Sequence, residues 1–162
     1  MTIGRWTFAV ALALSAWSGG VARAESASCD IPIVHALHNG DDGKEPAIDE
    51  QINMLRPYLL KAPFTAWRDF KLLERRYLEL PERGPQSFAL PNGRQVSLTF
   101  LGHTAGPGDH RLRLKLVIED EAKKSKMVDT TFVLDEGGVV LQVGQRYQGG
   151  ILILAVSCKT RD

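Results

Sequence analysis

Apolar residues along this chain recur mostly at every second position, the period of a strand with one buried face. In CDIPIVHAL, starting at Cys29, residues Ile31, Ile33, His35 and Leu37 share a face and predict a first strand. Pro32 brings no N–H to a ladder, so this strand is expected either to lie at a sheet edge on one side or to pair only beyond the proline. Further along, Val96, Leu98 and Phe100 alternate with polar residues, as do Leu112, Leu114, Leu116 and Ile118 with Arg113 and Lys115. Strands are expected at 87–91, 95–101, 112–118, 128–134, 139–143 and 151–157. Asn92-Gly93 predicts a type I′ hairpin between the first two of these. Residues 103–110 (HTAGPGDH) and the charged stretch 119–126 are expected to be loops. The segment 142–150 is expected to be a wide hairpin loop with a bulge.

One stretch has a different period. Ile48, Ile52, Leu55 and Leu59 are spaced four, three and four apart, the stripe of an amphipathic helix over about 46–60. Glu45, Asp49 and Glu50 suit its first turn, Pro46 suits its first position, and Pro57 should kink or end it. Phe64, Trp67 and Phe70 then predict a short helical turn that presents three aromatics to the core. Residues 71–80 admit two readings. Leu72, Leu73, Arg76 and Leu80 share a helical face, whereas the Tyr-Leu-Glu-Leu ending favours a strand, which we prefer. About eight strands at short spacing with one inserted helix make an α+β domain, mainly antiparallel β. The expected architecture is a β-sandwich with one N-terminal amphipathic helix packed on it.

The first 24 residues stand apart. They hold two arginines and no acid, and residues 6–17 form a short apolar run closed by Gly19-Gly20 and the small-x-small triplet Ala22-Arg23-Ala24. This is the layout of a secretory signal peptide cleaved after Ala24, and the run is too short for a membrane anchor. The protein is therefore expected in the periplasm or outside the cell, as one β-rich domain over 25–162 behind a short polar tail at 25–28. Without the two arginines of that segment the formal charge falls from +1 to −1. Such a domain has no general attraction to nucleic acid, and no later segment is long enough to span a membrane.

Export gives the cysteines a meaning. Cys29 and Cys158 are the only two, and a pair in an exported chain favours a disulfide over a metal site. Cys29 opens the first strand on the face of Ile31 and Ile33, and Cys158 ends the last on the face of Leu152, Leu154 and Val156. If those strands pair antiparallel, the two Cα atoms should lie within about 7 Å.

Candidate chemistry is sparse. His35 and His38 with Asp41 and Asp42 resemble a metal set in composition, but side chains three apart on a strand point to opposite faces. His103, Asp109 and His110 bracket a Gly-Pro-Gly loop that offers a general acid or base. Arg68, Lys71, Arg75 and Arg76 interleave with Trp67, Phe70 and Tyr77, but the aromatics are better assigned to the core. Lys123, Lys124 and Lys126 form a solvated loop tip. Arg146 and Tyr147, in a Gly-rich segment, are of the residue types that anchor interfaces. No cofactor is implied. The leading expectation is a non-enzymatic interaction module partnering an envelope or extracellular protein. The alternatives are a small-ligand or peptide-binding protein and a small hydrolase using His103 or His110.

Overall fold

A computed structural model describes residues 25–39, 43–104 and 111–161. The proposed signal peptide, Asp41, Asp42, Asp109 and His110 lie outside them. The described residues form nine strands in two sheets. They are β1 (Ser26–Leu37), β2 (Ala47–Ile48), β3 (Asp69–Pro81), β4 (Pro85–Ala89), β5 (Gln95–His103), β6 (Leu112–Asp120), β7 (Ser125–Leu134), β8 (Val140–Tyr147) and β9 (Gly150–Arg161). The first sheet runs β2-β3-β1-β9-β8 and the second β4-β5-β6-β7. All pairings are antiparallel except the two-residue β2 against β3. The eight expected strands are all present, and 69–81 is a strand rather than a helix. β2 is an addition.

Odd-numbered residues of β1 (Cys29, Ile31, Ile33) and even-numbered residues of β9 (Leu152, Leu154, Val156, Cys158) share one buried cluster with Leu98, Phe100, Leu114 and Leu116 of the second sheet. The opposite face of the first sheet is apolar over part of its length. There Val34, Ala36, Phe70, Ile153 and Ala155 pack beneath Ile52, Leu55, Leu59 and Phe64 from residues 49–67. β1 is thus buried on both faces along 31–36 and reads as an almost unbroken apolar run.

Several expectations need correction. Pro32 does not mark an edge, because β1 is the middle strand of its sheet and pairs from Ser26 onward on both sides. The proline is accommodated by a gap: the β1–β9 ladder omits Ile31 and Pro32 and resumes in the same register at Ile33↔Leu154. Residues 26–28 are not a loose tail, since Ser26↔Pro81 and Ser26↔Arg161 already flank them and Ala27 is fully buried.

The helix expected over 46–60 is replaced by β2, a 3-10 turn α1 (Glu50–Leu55) and a single α-helical turn α2 (Arg56–Leu59). Asp49 caps the 3-10 turn by accepting from Gln51 N–H at 2.9 Å, so helical structure starts later than Pro46 implied. Ile52 departs from helical geometry (φ −117°, ψ 19°), and Pro57 opens the α-helical turn instead of ending it. The next 3-10 turn, Phe64–Ala66, leaves Phe70 in β3.

The hairpins also exchange roles. Gly93 N–H donates to the Leu90 carbonyl at 2.9 Å, which closes a turn with Pro91 second and positive φ at Gly93 but not Asn92. The tight two-residue turn with both φ values positive is Gln148-Gly149 (40° and 77°), where a wide loop was expected. The expected bulge is present in β8, between Val143 and Gln145.

Candidate functional site

The helical cover protects only one end of the outer face of the first sheet. Beyond it, Ser28, Asp30 and Pro32 of β1 lie beside Ser157 and Lys159 of β9 as the floor of a groove of about 580 Å³. These positions are the alternate face of strands whose other face forms the core, and their polarity follows from that. Met54 and Tyr58 from the cover form one wall and Tyr77 of β3 the other. Met54 and Tyr58 are exposed, and Tyr77 is 72% exposed, the highest value among the large apolar side chains described.

Within the groove Arg75 Nε lies 3.2 Å from Asp30 Oδ1, an ion pair without the alignment of a hydrogen bond. The Arg75 guanidinium also donates to the Gln51 carbonyl at 3.3 Å and lies 3.6 Å from Met54 Sδ. The arrangement offers an apolar, polarizable slot beside a partly desolvated charge pair. It can grip an aromatic or aliphatic side chain and orient a neighbouring polar group. Sequence reasoning missed it. The available signal was the pair Met54 and Tyr58, four apart and beside the buried stripe, with Tyr77 opposite.

Arg146 and Tyr147 end β8 at the rim of a second recess of about 480 Å³, which they share with His38 and Trp67. Arg146 is exposed. Tyr147 packs partly against the core, and its carbonyl accepts from buried His35 Nε2 at 3.0 Å while the two rings meet edge-on at 5.2 Å. His38 donates from Nδ1 to the Ala66 carbonyl at 2.8 Å and stacks on Trp67 with centroids 3.9 Å apart. The two imidazoles are thus held by different carbonyls. Among the described residues, no three His, Cys, Asp or Glu side chains gather as a metal set.

His103 sits at the end of β5 rather than in a loop. Its Nδ1 is 3.1 Å from Glu25 Oε2, its Nε2 is 2.9 Å from Thr160 Oγ1, and its ring meets Phe100 edge-on. Both ring nitrogens therefore have partners that tie the two termini of the described chain to the second sheet.

The basic residues of 68–77 do not form one surface. Lys71 pairs with Asp69 at 3.0 Å, Arg75 with Asp30 and Arg76 with Glu74, while Phe70 is buried. At the other tip Lys126 and Lys115 hold Asp129 from either side at 3.1 and 3.2 Å. Hydrogen bonds from Lys126 and then Lys115 keep its carboxyl below the ordinary aspartate value.

The Cys29–Cys158 disulfide is formed between directly paired residues of β1 and β9, with Cα atoms 4.1 Å apart. That separation is in keeping with a closely spaced antiparallel pair. Among the described residues, no helix is long and apolar enough to cross a membrane. In comparisons with protein-family models, curated proteins and solved structures, nothing matches this chain.

Proposed function

We propose that the protein is an exported, non-enzymatic interaction module of sandwich-like architecture, acting in the periplasm or outside the cell as an accessory part of an envelope complex. The observation that carries this reading is the groove between Met54, Tyr58 and Tyr77, where large apolar side chains stay exposed beside the Asp30–Arg75 pair. Tyr and Met at the rim of a groove are residue types that anchor partners. Export is supported by the signal-peptide pattern and by a disulfide that joins both cysteines of the chain, as suits an oxidising compartment.

The groove volume of about 580 Å³ also favours a second reading, a peptide or small-ligand site, since such sites typically span roughly 300–1,000 Å³. Both readings place the contact at the same residues. A photo-crosslinking side chain at position 77, compared with one at position 113 on β6, separates them in cells. The module reading expects one discrete protein adduct from position 77 and none from position 113. Equal labelling from both positions, or none from either, would overturn it. A thermal shift with a small molecule or short peptide, abolished by Tyr77→Ala, would favour the second reading.

A further inference from the structure

We propose that β7 is the edge through which two copies of this chain pair, antiparallel about a two-fold axis at Thr130. The other sheet edges are closed by recognisable devices. An exposed edge presents unpaired N–H and C=O groups, and proteins blunt such edges with short strands, prolines or bulges. Among the described residues, β2 is two residues long, and β4 is five residues long and begins at Pro85. β8 is broken by a register shift at Val143/Gln145, and the Asn92 side chain donates to its Arg146 carbonyl. β7 has such devices only at its start, where Lys126 lies and the register against β6 shifts between Ile118 and Glu119, leaving Met127 as the extra residue. It runs ten residues without proline and stays in one register against β6 from Leu112↔Leu134 to Ile118↔Val128.

Its outward face adds a second observation. Met127 and Val133 are 48% and 42% exposed, and they lie three residues either side of Thr130. Pairing about Thr130 sets Met127 against Val133 of the second copy and Asp129 against Thr131. On the inward face it sets Val128 against Phe132, continuing the layer that packs on the core. Neighbouring registers that keep the faces continuous are worse. An axis at Asp129 opposes that residue to itself, an axis at Thr131 sets Val133 against Asp129, and an axis at Phe132 sets Asp129 against Asp135. Like charges directly opposite each other destabilise a pair.

Charge complementarity points the same way. An antiparallel approach brings the Lys123, Lys124 and Lys126 end of one copy to the Asp135 and Glu136 end of the other, twice by symmetry. The result joins two four-stranded sheets into one continuous sheet.

The test uses the chain from residue 25 onward with its native disulfide intact. Sedimentation over a concentration series should show a monomer–dimer equilibrium. Val133→Asp should weaken the dimer by at least about tenfold, since it sets a charge against Met127. Register is read separately by mixing Met127→Cys with Val133→Cys protein under mild oxidation. The mixture should give a cross-linked dimer and either variant alone should give little, because two copies of position 127 lie at opposite ends of the ladder. A monomer at every concentration, a dimer indifferent to Val133→Asp, or equal cross-linking of Met127→Cys alone would overturn the proposal.

Discussion

A side chain has no room at position 150. A Cβ built there would lie 2.2 Å from the Ala36 carbonyl oxygen, 2.8 Å from His35 Nε2 and 3.0 Å from Leu37 Cδ2. Two of those three neighbours cannot yield cheaply, because one is backbone of the central strand and the other is a ring held by the Tyr147 carbonyl. Its neighbour Gly149 is different: nothing lies within 4 Å of its virtual Cβ, and only its φ of 77° calls for glycine. Gly150→Ala should therefore destabilise the fold by about 2–4 kcal/mol, through overpacking that shifts backbone. Gly149→Asn should cost about 1 kcal/mol or less, because Asn enters the left-handed region readily. Urea midpoints of the two variants check this, and equal midpoints would refute the distinction. The Gly-Gly dipeptide is visible in the sequence as a turn. Which glycine is sterically required is not, because the atoms that crowd it come from β1, more than a hundred residues earlier.

At the scale of elements, the stretch 46–60 shows what periodicity reports and what it leaves open. The spacing of Ile52, Leu55 and Leu59 identified a buried stripe, and all three side chains are buried under the first sheet. Spacings of three and four fit a 3-10 turn followed by an α-helical turn as well as a continuous helix, so burial was legible while helix type was not. Strands were read more reliably, since alternation fixes their facing. Residues 71–80 were ambiguous because β3 is partly exposed on both faces and alternates weakly. The candidate groove escaped because its walls come from α1, α2 and β3, which only the tertiary fold brings together. The cover is expected to be held by its apolar contacts rather than by helix propensity. Leu59→Ala should cost about 2–5 kcal/mol, whereas Met54→Ala, on the exposed rim, should change stability by less than about 0.5 kcal/mol. Thermal denaturation of both variants tests the contrast; equal losses would mean that Met54 is part of the cover's packing.

Across the whole molecule, the pairing of the terminal strands was legible because two independent signals agreed. Alternation placed Cys29 and Cys158 on inward faces, and the compartment implied by the N-terminal segment favoured joining them. What stayed hidden was the company β1 keeps on its other side. A proline at its centre pointed to an edge, yet β3 pairs along its full length, and no local pattern announces a partner more than thirty residues away. The resulting architecture makes the disulfide's contribution a property of the entire chain. The bond links residues 129 apart, between two central strands of one sheet. In the chain-entropy model a closure of that size restricts the unfolded state by about 4–5 kcal/mol, while removal of native disulfides costs about 2–5 kcal/mol in practice. Cys29→Ala, Cys158→Ala and the double variant should therefore lower stability by nearly the same amount, because losing either sulfur loses the whole constraint and each alanine leaves only a small gap. Additive losses would show instead that each thiol contributes chiefly by packing. The measurement is urea unfolding of all four proteins with an unchanged denaturant slope as the control for two-state behaviour. A double variant within about 0.5 kcal/mol of the parent would mean that the ladders of β1 with β3 and β9 hold the termini without the bond.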